Sequence, residues 1–79
     1  MQTIFIMIKA EMGRAYDVAD LLVQTELVSE VYSISGQYDL LAKCYLEAGA
    51  DIGSFVSGNI QTLPGVKDTF TVIAFKAFV

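Results

Sequence analysis

Histidine is absent from this 79-residue chain, and cysteine and proline occur once each. Without histidine the chain lacks the usual general base near neutral pH, the commonest zinc ligand and the base of most nucleophilic triads. The single thiol, Cys44, forms no internal disulfide, which fits a reducing cytoplasm. It sits in an apolar run and reads as a core thiol, not a nucleophile. Phosphate-binding glycine loops and CxxC pairs are also missing, so neither a metal nor a cofactor is expected. The longest apolar run, Ile4–Ile8, has five residues. A membrane span needs about 20, and the N-terminus has neither the basic region nor the long apolar stretch of a signal peptide. Positive charge is scarce too. Five Lys/Arg stand against nine Asp/Glu, for a net charge of −4. The cations are spread singly, leaving no basic patch for duplex DNA.

What the chain has in excess is apolar side chain, at 54% of residues. A chain of this length forms one domain, here residues 1–79, and buries only about 60–65% of its unfolded surface. The surplus must face something, and a second copy is the simplest cover.

Alternation and helical spacing divide the chain into six elements. Thr3–Lys9 reads as a strand, with Ile4, Ile6 and Ile8 on one face and Thr3, Phe5, Met7 and Lys9 on the other. After a break at Glu11-Met12-Gly13, Arg14–Gln24 carries Ala15, Val18, Ala19 and Leu22 at helical spacing. Val28–Ser35 is a weaker strand, and Ser35-Gly36-Gln37 a tight turn. Tyr38–Glu47 is a strong strand whose row Leu40, Ala42, Cys44 and Leu46 is wholly apolar. Asp51 is a fair N-cap for a second helix striped by Ile52, Phe55, Val56 and Ile60 and ended by Pro64-Gly65. Val66–Phe78 is a last strand. The order βαββαβ predicts a ferredoxin-like α+β fold. Its four-stranded antiparallel sheet has order 4-1-3-2, with both helices on one face. The other face is then bare, and is expected to carry Phe5, Met7, Leu41, Tyr45, Ile73 and Phe75. Two such faces packed together give a dimeric αβ-barrel-like pair.

Two segments couple a turn to a strand start: Gly36-Gln37-Tyr38-Asp39 and Leu63-Pro64-Gly65-Val66-Lys67-Asp68-Thr69-Phe70-Thr71. The predicted topology brings the starts of strands three and four to the end of strand one. Parity then places Asp39, Lys9, Thr69 and Thr71 together on the open face, within roughly 10 Å. A carboxylate, hydroxyls and the N–H groups of a glycine turn suit a small zwitterion. The candidate ligand residues are therefore Gly36, Tyr38, Asp39, Thr69 and Thr71, with no catalytic or metal-binding residue. A structural reading stands beside this one: Gly36 closes the hairpin, Asp39 pairs with Lys9, and the tyrosines pack at a sheet surface.

These two segments, Val31–Leu41 and Leu63–Ile73, carry a resemblance to the C-terminal effector-binding module of the Lrp/AsnC regulators, the RAM domain. The Ile4–Lys9 strand and Gly13 also fit. The resemblance implies sheet-paired dimers, rings of dimers such as octamers, and amino-acid binding between dimers at the Gly36–Asp39 turn and at Thr69 and Thr71. Full-length members carry an N-terminal helix-turn-helix domain. This chain opens at the first strand, so it resembles the stand-alone form, and direct nucleic-acid binding is not carried over. Any effect on transcription then runs through a full-length Lrp/AsnC partner. The expected function is a cytoplasmic, non-enzymatic, amino-acid-sensing oligomerisation module. The alternatives are a purely structural assembly module and an αβ-barrel monooxygenase-like enzyme, with an ACT-type regulatory domain as a close cousin of the favoured reading.

Overall fold

A computed structural model describes residues 1–79. The elements run β1 (Gln2–Ala10), α1 (Ala15–Gln24), β2 (Glu30–Ser33), β3 (Leu40–Leu46), α2 (Ile52–Asn59) and β4 (Val66–Ala74). The strands form one antiparallel sheet of order β2-β3-β1-β4, the predicted ferredoxin-like order read from the opposite edge.

Both helices cover one face because the apolar rows demand it. Ile4, Ile6 and Ile8 of β1 and Leu40, Ala42 and Cys44 of β3 are fully buried, together with Val18 and Leu22 of α1 and Ile60 at the end of α2. Each such aliphatic side chain contributes roughly 1.5–3 kcal/mol of transfer free energy. Burial also pushes the Cys44 thiol pKa up, as expected of an unreactive core thiol. Asp51 caps α2, its carboxylate accepting from the Ser54 N–H at 3.1 Å and the Ser54 hydroxyl at 2.9 Å.

One irregularity changes the last strand. Ala10 pairs with Val66 and Lys9 with Asp68, so Lys67 has no partner and forms a bulge in β4. An extra residue inverts the parity of everything after it. Thr69, Thr71 and Ile73 consequently lie opposite Ile8, Ile6 and Ile4, on the helix side. The open face of β4 carries Phe70 and Val72, not the expected Ile73 and Phe75. Its other large residues, Phe5, Met7, Leu41 and Tyr45, fall as predicted. The adjacent charges Lys67-Asp68 were the available signal: strict alternation would point one of them at the helix layer.

The strand ends also differ from the periodicity. β4 stops at Ala74, which pairs with Thr3, because little of β1 lies beyond to receive it. β2 is an edge strand with one neighbour and shortens to four residues.

Candidate functional site

The turn between β2 and β3 spans 34–39 and is wider than the three-residue turn expected. Gly36 stands at φ +108°, a conformation side-chain-bearing residues rarely adopt, and a Cβ there would meet open space. Its role is conformational: it brings the chain round to Tyr38 and Asp39.

Asp39 is held from three directions. Its N–H donates to the Ile8 carbonyl at 2.9 Å, and its own carbonyl accepts from the Ile34 N–H at 2.9 Å. Its carboxylate Oδ2 accepts from the N–H of buried Ala10 at 2.9 Å, and Lys9 Nζ lies 3.9 Å from the same oxygen. Asp39 thus satisfies the end of β1 opposite the β4 bulge. The side chain remains 34% exposed, and its other oxygen, Oδ1, has no protein partner. A half-exposed ion pair contributes little alone. The useful feature is a positioned carboxylate with one free acceptor.

Two clefts flank this corner. One, of about 450 Å³, is lined by Lys9, Gln37, Tyr38, Lys67 and Asp68. The other, of about 280 Å³, includes Lys9, Glu11, Asp39 and Lys67 and runs beneath the β1–α1 loop. Both lie at or near the lower end of the range for small-molecule sites. Tyr38 forms an aromatic wall with Phe70, ring centroids 6.2 Å apart.

Of the predicted site residues, Tyr38 and Asp39 line these clefts and Gly36 shapes the turn leading to them. Thr69 and Thr71 are not brought to Asp39 and Lys9. The bulge places them across the sheet, where the Thr69 hydroxyl accepts from Gln61 Nε2 at 2.8 Å. The residue the sequence reading missed is Lys67, which lines both clefts.

The Leu63-Pro64-Gly65-Val66 segment supports the site from below. Gly65 has φ +91° and is buried against α1, where an added Cβ would stand 3.0 Å from Val18 Cγ2. Its carbonyl accepts from the Glu11 N–H at 2.7 Å, tying the floor of the smaller cleft to the start of β4.

The open sheet face forms a second feature. Phe70 and Tyr45 are about half exposed there beside Phe5 and Met7. Its cation, Lys43, lies 3.4 Å from Glu30 and 5.1 Å from the Tyr45 ring centroid. Contact with Tyr45, then Glu30, raises the Lys43 pKa, while the Tyr32 hydroxyl and Lys43 lower that of Glu30. The charge on this face is therefore compensated internally. A hollow of about 630 Å³ at its far end, between Phe5, Lys43, Tyr45 and the terminal residues, belongs to this apolar surface and not to the Asp39 corner.

Known proteins share this fold. The Lrp/AsnC ligand binding domain family matches residues 3–79. The HTH-type transcriptional regulator FL11 of Pyrococcus abyssi is 38% identical over 72 residues, 91% of this chain and 47% of that protein. The chain therefore spans about half the length of that relative. The crystal structure of FFRP-DM1 superposes with a TM-score of 0.86 at 31% identity, covering 95% of this chain and all of the other. The transcriptional regulator NMB0573 of Neisseria meningitidis, solved as a complex with L-Met, has the same fold. Its TM-score is 0.86 at 18% identity, covering 99% of this chain and 52% of that one. With the family matched across nearly all its residues and the βαββαβ topology in place, this chain belongs to the Lrp/AsnC ligand binding domain family.

Proposed function

We propose that this chain is a non-enzymatic module that binds a free amino acid at the Tyr38–Asp39 corner and self-associates through its open sheet face. The observation that carries the reading is the Asp39 carboxylate, fixed by the Ala10 N–H and Lys9 yet keeping a free oxygen at the mouth of a small cleft. That oxygen accepts from the ligand's ammonium. The family match supports the reading, as does a protein of the same fold captured with L-Met. A dimer of sheets covers Phe5, Met7, Tyr45 and Phe70, and dimers stack into rings. Regulation of transcription runs through a full-length Lrp/AsnC-type partner, with no direct contact between this chain and nucleic acid.

The test is a thermal-shift screen of the twenty amino acids, followed by calorimetry on those that bind. Saturation at 100 times the dissociation constant adds about 2.7 kcal/mol of stability. Asp39→Asn keeps the acceptor for the Ala10 N–H and removes the charge. It is expected to weaken binding about ten- to hundredfold, the usual cost of a charge-assisted hydrogen bond. No response to any amino acid would leave a purely structural assembly module.

A further inference from the structure

Every lysine and arginine in this chain but one has a partner. Arg14 lies 3.6 Å from Asp17, Lys43 3.4 Å from Glu30 and Lys9 3.9 Å from Asp39, while Lys76 stands 5.3 Å from the Phe78 ring centroid. Lys67 has neither an ion pair nor an aromatic partner, in a chain with nine acidic residues. Its neighbour Asp68 accepts from the Thr69 N–H through Oδ1 at 2.9 Å and makes no ion pair with it. Lys67 is also the bulge residue of β4, without a cross-strand partner. Bulges turn one side chain out of the ladder's alternation. Here the side chain so released lines both clefts that meet at Lys9, one bounded by Tyr38 and the other by Asp39.

We infer that Lys67 is the carboxylate receptor of the site, and that the β4 bulge is the device that aims it there. This rests on the amino-acid reading above and names the group that recognises the ligand's acid end. An α-amino acid presents an ammonium and a carboxylate on one carbon. Asp39 offers the free acceptor for the first. For the second, the hydroxyls of Thr69 and Thr71 lie on the far side of the sheet, and Gly36 lines neither cleft. Lys9 is drawn toward Asp39. Lys67 alone is charged, uncommitted and in place. The ligand class follows: a molecule with both a free α-ammonium and a free α-carboxylate, so that C-terminal amides and internal peptide residues are rejected.

The test pairs a residue change with a ligand change. Calorimetry is run with the twenty free L-amino acids and, for each that binds, its C-terminal amide, against wild type, Lys67→Met and Lys67→Arg. Methionine keeps an unbranched apolar stem without the charge, and at this exposed position the fold is expected to be unchanged, which circular dichroism checks. Wild type is expected to prefer the free acid over its amide about ten- to hundredfold. Lys67→Met is expected to lose that factor for the acid and bind acid and amide within about threefold of each other. Lys67→Arg restores most of the preference. If wild type binds an amino acid and Lys67→Met retains the same acid-over-amide ratio, the assignment of Lys67 fails while the amino-acid reading stands. If wild type binds none of the twenty, both fail together.

Discussion

Gly65→Ala tests whether the start of β4 is held as tightly as the structure indicates. Alanine at φ +91° carries strain of about 1–3 kcal/mol. Its Cβ would also lie 3.0 Å from Val18 Cγ2 and 3.4 Å from Arg14 Cζ. The arginine is long and partly exposed and can move. Val18 is fully buried and β-branched, with one favoured rotamer on a helix, so relief requires α1 itself to shift. Overpacking of this kind costs about 1–3 kcal/mol. Against these, alanine lowers unfolded-chain entropy, returning about 0.4–1 kcal/mol. The expected net loss is about 1–5 kcal/mol, a sizeable part of the roughly 4–12 kcal/mol expected for a domain of this size. Urea unfolding at two protein concentrations reads it, the second concentration separating folding from association. Gly36→Ala is the control. It has φ +108° but nothing within 4 Å of the added carbon, so it carries strain without the clash. The reasoning is refuted if Gly65→Ala is no more destabilising than Gly36→Ala, since the contact with α1 would then have no energetic weight.

Two further predictions concern assembly and acid stability. Light scattering at micromolar concentration should give at least twice the 8.6 kDa chain mass, and Phe70→Asp should reduce it by placing a charge on the apolar face. A monomeric wild type would overturn the sheet-pairing proposal. Ser54 holds the Asp51 pKa below its ordinary 3.8, through its backbone N–H and then its hydroxyl. A carboxylate whose pKa is depressed by folding stabilises fully above the unfolded value and loses that contribution as pH falls through the folded one. Asp51→Asn, which still caps, should therefore lose less stability than wild type between about pH 5 and pH 2. Equal acid losses in the two proteins would show that the cap carries no charge-dependent stability.

The fold was largely legible because its rows are clean. Ile4, Ile6 and Ile8 against Leu40, Ala42 and Cys44 leave one way to bury both strands, and Val18 with Leu22 supplies a matching helical stripe. Topology then follows from chain order and crossover handedness. The position of Asp39 at the corner with Lys9 was legible because a strand start beside a glycine turn meets the end of β1 in this topology. What periodicity alone missed is the bulge, marked in the sequence only by the adjacent charges Lys67-Asp68. Its support is not local: the Ala10 N–H beside the bulge is satisfied by Asp39, 29 residues away in the β2–β3 turn. Because side chains alternate strictly along a strand, that one extra residue sent Thr69 and Thr71 to the helix side, brought Phe70 and Val72 to the open face, and left Lys67 free at the clefts. Composition and periodicity determined the layers and the surplus apolar face. The pairing of β4 with β1 decided which side chains meet, since register is a property of two strands together and neither one carries it alone.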